Sequence, residues 1–143
     1  MKYLRSFNES NLTLEQQLED LYGKDLMEEY TQLMGDIKDR CYDLIDLGFY
    51  VKIDWAYSTK EGALAPGNYR NTAMRDKTPK FEVFILGEDS LFDENYDEVV
   101  LPCIESIRAL TREIGYPSGS GFAGNTLAEN RTYVTYKIVI QKN

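Results

Sequence analysis

The chain has 143 residues, a length that suits one domain, and its 24 Asp and Glu outweigh 16 Lys and Arg for a formal net charge of −8. It holds no histidine and only two cysteines, which excludes Ser–His and Cys–His nucleophilic pairs, imidazole-ligated metals, a zinc-thiolate site and a disulfide framework. The acid excess disfavours general nucleic-acid binding, which rests on Lys and Arg neutralising phosphates, and 43% hydrophobic with 28% charged residues is the composition of a soluble globular domain.

The opening MKYLRSFNES lacks the apolar run of a signal peptide, and no stretch is apolar enough to span a bilayer, so a cytoplasmic protein is expected. Residues 12–22 read as a short helix, with Thr13 and Gln16 spaced as a capping box. After Gly23, the apolar residues Leu26, Tyr30, Leu33, Ile37, Cys41, Leu44 and Ile45 recur at intervals of three and four. They predict one long helix that stops at Gly48 and turns Glu29, Asp36, Asp39 and Asp43 outward. From Phe49 to Tyr57 the period changes to two. Phe49, Val51, Ile53, Trp55 and Tyr57 share one face of a half-buried strand, with Tyr50, Lys52 and Asp54 on the other.

Lys80 to Leu86 reads as a second strand. Its faces, Phe81, Val83 and Ile85 against Glu82, Phe84 and Leu86, are both largely apolar, which places it centrally in a sheet. A helical pattern then runs from Ser90 to Gly115, and Pro102 inside it predicts a kink or a restart near Leu101. A last strand, Thr132 to Ile140, has Val134, Tyr136, Ile138 and Ile140 on its inner face. The expected architecture is a single α+β domain over residues 1–143, in the order α-α-β-β-α-β, with a small, mainly antiparallel sheet and helices packed on one face.

Two connections, residues 58–79 and 115–130, lack apolar periodicity and are longer than most loops, which singles them out as functional candidates. The first lies in the one positive part of the chain, residues 49–87, and carries Tyr69, Arg70, Arg75 and Lys77. Arg side chains beside a tyrosine suit clamping a phosphate or stacking on a base. The second holds Gly119, Gly121, Gly124, Asn125 and Thr126, and such a stretch can bring backbone N–H groups close to an anion. It is not a P-loop, because Gly124 is followed by Asn-Thr rather than Lys and Ser or Thr, and a helix precedes it.

Other constellations read as structural. Asp36, Asp39 and Asp43 share a helix face, as do Asp93, Glu94 and Asp97, but helical rows of acids are commonly solvated faces rather than Mg²⁺ sites. Cys41 and Cys103 fall on apolar faces as reduced, buried side chains with no imidazole to activate them. Tyr50, Tyr133 and Lys137 are expected on sheet faces opposite the apolar ones, a surface that suits a protein interface.

The opening, with Met-Lys, an apolar pair and Phe7-Asn8-Glu9, resembles that of small accessory proteins of T-even-like and marine tailed bacteriophages. So do the run Leu44-Ile45-Asp46-Leu47-Gly48-Phe49-Tyr50-Val51 and the helix Val99–Gly115 closing before a last strand. Phe7-Asn8-Glu9 also resembles a prohead-protease processing site, with Phe in place of the usual Leu or Ile. The resemblance implies a phage protein acting in the host cytoplasm, and it brings no activity or cofactor with it. The resulting expectation is a non-catalytic protein that binds and neutralises a host component. That component is either a host protein or a small anionic ligand, such as a nucleotide defence signal, held between the two long connections. Self-association is compatible with the tyrosine-bearing face. The alternatives are a virion or assembly component and, behind it, a metal-dependent hydrolase using Asp36, Asp39 or Asp93.

Overall fold

The computed structural model describes residues 14–56 and 78–142. Helices α1 (Leu14–Tyr22), α2 (Lys24–Arg40) and α3 (Tyr42–Asp46) lead into strands β1 (Tyr50–Trp55) and β2 (Lys80–Glu88). Helix α4 (Asp89–Asn95), a π-helical turn (Tyr96–Val100) and helix α5 (Leu101–Glu113) follow, and strands β3 (Ser118–Ala128) and β4 (Arg131–Gln141) close the fold. All pairings are antiparallel, in the order β1-β2-β4-β3, so the α+β class and the central place of the Lys80 strand hold.

The alternation of the strands decides which sheet face is covered. Phe81, Val83 and Ile85 of β2 oppose Ile140, Ile138 and Tyr136 of β4, and all six are buried. Against them pack Tyr30, Leu33 and Ile37 of α2 with Ile104 and Ile107 of α5, forming one core. The other face carries Tyr50, Lys52, Phe84, Leu86, Tyr133 and Lys137 at matched register positions, as the sequence predicts. Salt bridges cross it from Lys137 to Glu82 at 3.3 Å and along β1 from Lys52 to Asp54 at 2.8 Å. Among the described residues, no helix is long and apolar enough to cross a membrane.

Two expectations need correction. The single long helix is two, because α2 ends at Cys41, where the backbone leaves helical geometry (φ −95°, ψ 4°) before α3 begins. Its apolar stripe is nevertheless buried from Tyr30 to Leu44, while Leu26 is half-buried and Ile45 stays 39% exposed. At Pro102 the second of the two expected outcomes holds, since a new α-helix, α5, starts at Leu101 directly after the π turn. Pro102 has no N–H to donate to the carbonyl four residues back, and the wide π turn directly before α5 takes up that mismatch.

The second correction is the larger. The glycine-rich stretch read as a loop is β3, an edge strand of 11 residues. Two features allow it. Glu129 and Asn130 both have positive φ (54° and 63°), which makes the two-residue turn that right-handed strand twist favours in hairpins. The register shifts between Phe122 and Gly124, a β-bulge, and Gly124 has φ 144°, a conformation that side chains disfavour.

Candidate functional site

Of the expected phosphate-site residues, only those of the second connection fall among the described residues. Tyr69, Arg70, Arg75 and Lys77 lie outside the described residues. Gly119, Gly121, Gly124, Asn125 and Thr126 all lie on β3, in register with Val139, Lys137, Thr135, Val134 and Tyr133 of β4. An extended edge strand points alternate N–H groups to its neighbour and to solvent, so these glycines do not curl into an anion-binding nest.

What β3 builds instead is an aromatic cluster against α4 and the π turn. Phe92 and Tyr96 are four residues apart and reach the same place. Phe92 is buried and meets Phe49 edge-on at 4.9 Å. Phe122 stacks on Tyr96 at 6.0 Å and packs edge-on against Phe92 at 6.0 Å and Tyr136 at 5.0 Å. The Tyr136 hydroxyl donates to Ser120 Oγ at 2.9 Å, anchoring that ring to β3. Despite three aromatic neighbours Phe122 remains 57% exposed, so one side of its ring is open to a ligand.

Beside these rings lies an open concavity of about 540 Å³, walled by Phe92, Tyr96, Phe122, Asn125 and Val134 and rimmed by Asp89, Asp93 and Asp97. The three acids follow one another at intervals of four residues along α4 and the π turn, and all are exposed. Among the described residues none of them has an ion-pair partner. The face of an aromatic ring attracts cations, and carboxylates at its edge add to that attraction. The pocket is therefore suited to an ammonium or guanidinium group and hostile to a phosphate.

Comparison of the chain with protein-family models, with curated proteins and with solved structures finds no match. Nothing there bears on the phage resemblance.

The carboxylate rows separate in space. Asp93 and Asp97 rim the aromatic concavity, whereas Glu94 faces another one with Tyr50 and Tyr133. Asp36 and Asp39 line a third with Glu15, Glu19 and Glu28. Among the described residues no three His, Cys, Asp or Glu side chains converge as metal ligands would.

Sequence reasoning missed Phe92 and Phe122. Asp89, Phe92, Asp93, Tyr96 and Asp97 carry a signal, acids and rings repeating together on one helical face. Phe122 carries none, because it joins them only through the unforeseen strand.

Proposed function

We propose that the protein is a non-catalytic binding protein that captures a partner protein by an extended, basic segment. The observation that carries this reading is the juxtaposition, among the described residues, of the exposed Phe122 ring, three carboxylates without an ion-pair partner and a strand edge without a neighbour. Strand β3 contains no charged residue, and Phe122 and Leu127 are 57% and 74% exposed. Exposed edges usually carry charge or proline that blocks further pairing. β3 instead offers a row of backbone groups to an added strand, and every second side chain of that strand can reach the pocket. A Lys or Arg there gains both the ring face and the carboxylates.

The acid-rimmed pocket favours the protein-partner form of the expectation over the anionic-ligand form. The phage-like opening makes a host protein the natural partner, met in the host cytoplasm and neutralised by being held.

The test uses fluorescent peptides of alternating Lys or Arg with Thr and Val, and matched peptides with Glu in place of the cations. Basic peptides should bind, and Phe122→Ala and Asp93→Asn should each weaken them by about tenfold, the scale of a desolvated cation–π contact. Equal affinity for the acidic peptides, or no effect of either substitution, would sink the proposal.

A further inference from the structure

Cys41 and Cys103, 62 positions apart in the chain, meet in the core with their sulfur atoms 3.8 Å apart. Cys41 is the residue at which α2 breaks, and Cys103 lies in the first turn of α5. The same few residues tie the two helices in other ways. The Cys103 thiol donates to the Arg40 carbonyl at 3.4 Å, and Arg40 Nη1 donates to Ser106 Oγ at 2.6 Å. We propose that Cys41 and Cys103 are a site of reversible oxidation, closing to an intramolecular disulfide when the folded protein meets a hydroperoxide.

The geometry assigns the two thiols different parts. Cys103 is 8% exposed, whereas Cys41 is fully buried, so a small peroxide reaches Cys103 first. The Arg40 carbonyl lies within reach of Cys103, and a hydrogen bond links the Cys103 and Cys41 thiols. That bond holds the Cys103 thiol below its ordinary value and, with burial, pushes Cys41 above its own.

In the first step the Cys103 thiolate attacks one peroxide oxygen and the O–O bond breaks. Cys103 becomes a sulfenic acid and the other oxygen leaves as water or an alcohol. In the second step the Cys41 sulfur attacks the Cys103 sulfur and the S–O bond breaks. The departing hydroxide takes the Cys41 proton and leaves as water. Two thiols lose two electrons and two protons to one hydroperoxide. The sulfurs must approach by about 1.8 Å to reach bonding distance, a movement that rotation of both side chains can share.

The experiment adds hydrogen peroxide to the reduced, folded protein and follows intact mass after alkylation in denaturant. A monomer two hydrogens lighter, with neither cysteine alkylated, a proteolytic fragment joining Cys41 to Cys103, and reversal by dithiothreitol are expected. A cross-link closing so long a loop should also raise the melting temperature by about 5–15 °C. Two alkylatable thiols after treatment, a mass gain from added oxygen, or a linked dimer would each overturn the proposal. In Cys41→Ser, Cys103 should persist as a sulfenic acid that dimedone traps. In Cys103→Ser, Cys41 should stay reduced, and faster oxidation of Cys41 there would overturn the assigned order. Because the intact-mass reading needs only the unaltered chain, misfolding of either variant leaves the test decisive.

Discussion

Tyr116 and Glu29 show how one side chain joins distant parts of the chain. The Tyr116 ring is buried beside Tyr30, with centroids 5.2 Å apart, and its hydroxyl donates to Glu29 Oε1 at 2.6 Å. Lys142 Nζ reaches the same carboxylate at 3.0 Å. The hydrogen bond from Tyr116, then that from Lys142, hold the Glu29 carboxyl below the usual glutamate range. Burial and the Glu29 carboxylate push the Tyr116 hydroxyl well above the usual phenol range, so it stays a neutral donor. A carboxyl depressed by folding stabilises the fold above its unfolded value, and that contribution is lost as pH falls through the folded value. Tyr116→Phe should cost about 1 kcal/mol at pH 7 and less at an acid pH below the folded value of Glu29, where the carboxyl is protonated in both states. Denaturant midpoints at the two pH values check this, and an equal loss at both would refute the Glu29 link. At Gly87 the limit is space. A Cβ there would stand 2.7 Å from Phe49 Cδ1, so Gly87→Ala should destabilise by about 1–3 kcal/mol, as overpacking does. An unchanged melting temperature would show that Phe49 can move aside.

At the scale of elements, α2 and α5 are held by their apolar stripes. Ile37 and Ile107 are both fully buried on the covered sheet face, and either change to Ala should cost about 2–5 kcal/mol. A loss under about 0.5 kcal/mol in urea unfolding would contradict the packing. Strand β3 is the opposite case, since from Phe122 to Arg131 every residue is exposed. Its energy comes from one ladder with β4 and from the ring contacts of Phe122, not from burial. Leu127→Lys should therefore leave stability within about 0.5 kcal/mol of the parent. It should nevertheless weaken capture of an extended peptide, because charge on an edge strand opposes strand addition. Thermal melts and peptide titrations on the same preparation separate the two effects.

At the scale of the whole molecule, the proposed basic partner would be attracted both by the net charge of −8 and by the acid-rimmed pocket. Raising salt from about 50 to 300 mM should weaken peptide binding several-fold, chiefly by slowing association, because exposed charges are screened over about 8 Å at physiological ionic strength. Affinity that ignores salt would mean that burial alone drives the contact. The α+β class, the apolar stripes of α2 and α5 and the inner faces of β1, β2 and β4 were legible from the chain. Each is a local repeat of apolar side chains whose period matches its element, so burial of one face is written into successive residues. The stretch Ser118–Ala128 shows where such reading ends. Its glycines, serines and lone phenylalanine carry no period, and it is a strand only because β4 offers a ladder and Glu129-Asn130 a turn. The same holds for the pocket and the thiol pair. Phe122 meets Tyr96 across the hairpin and Cys41 meets Cys103 across two helices. Long-range contacts like these depend on how elements pack, and no single segment carries the information that brings them together.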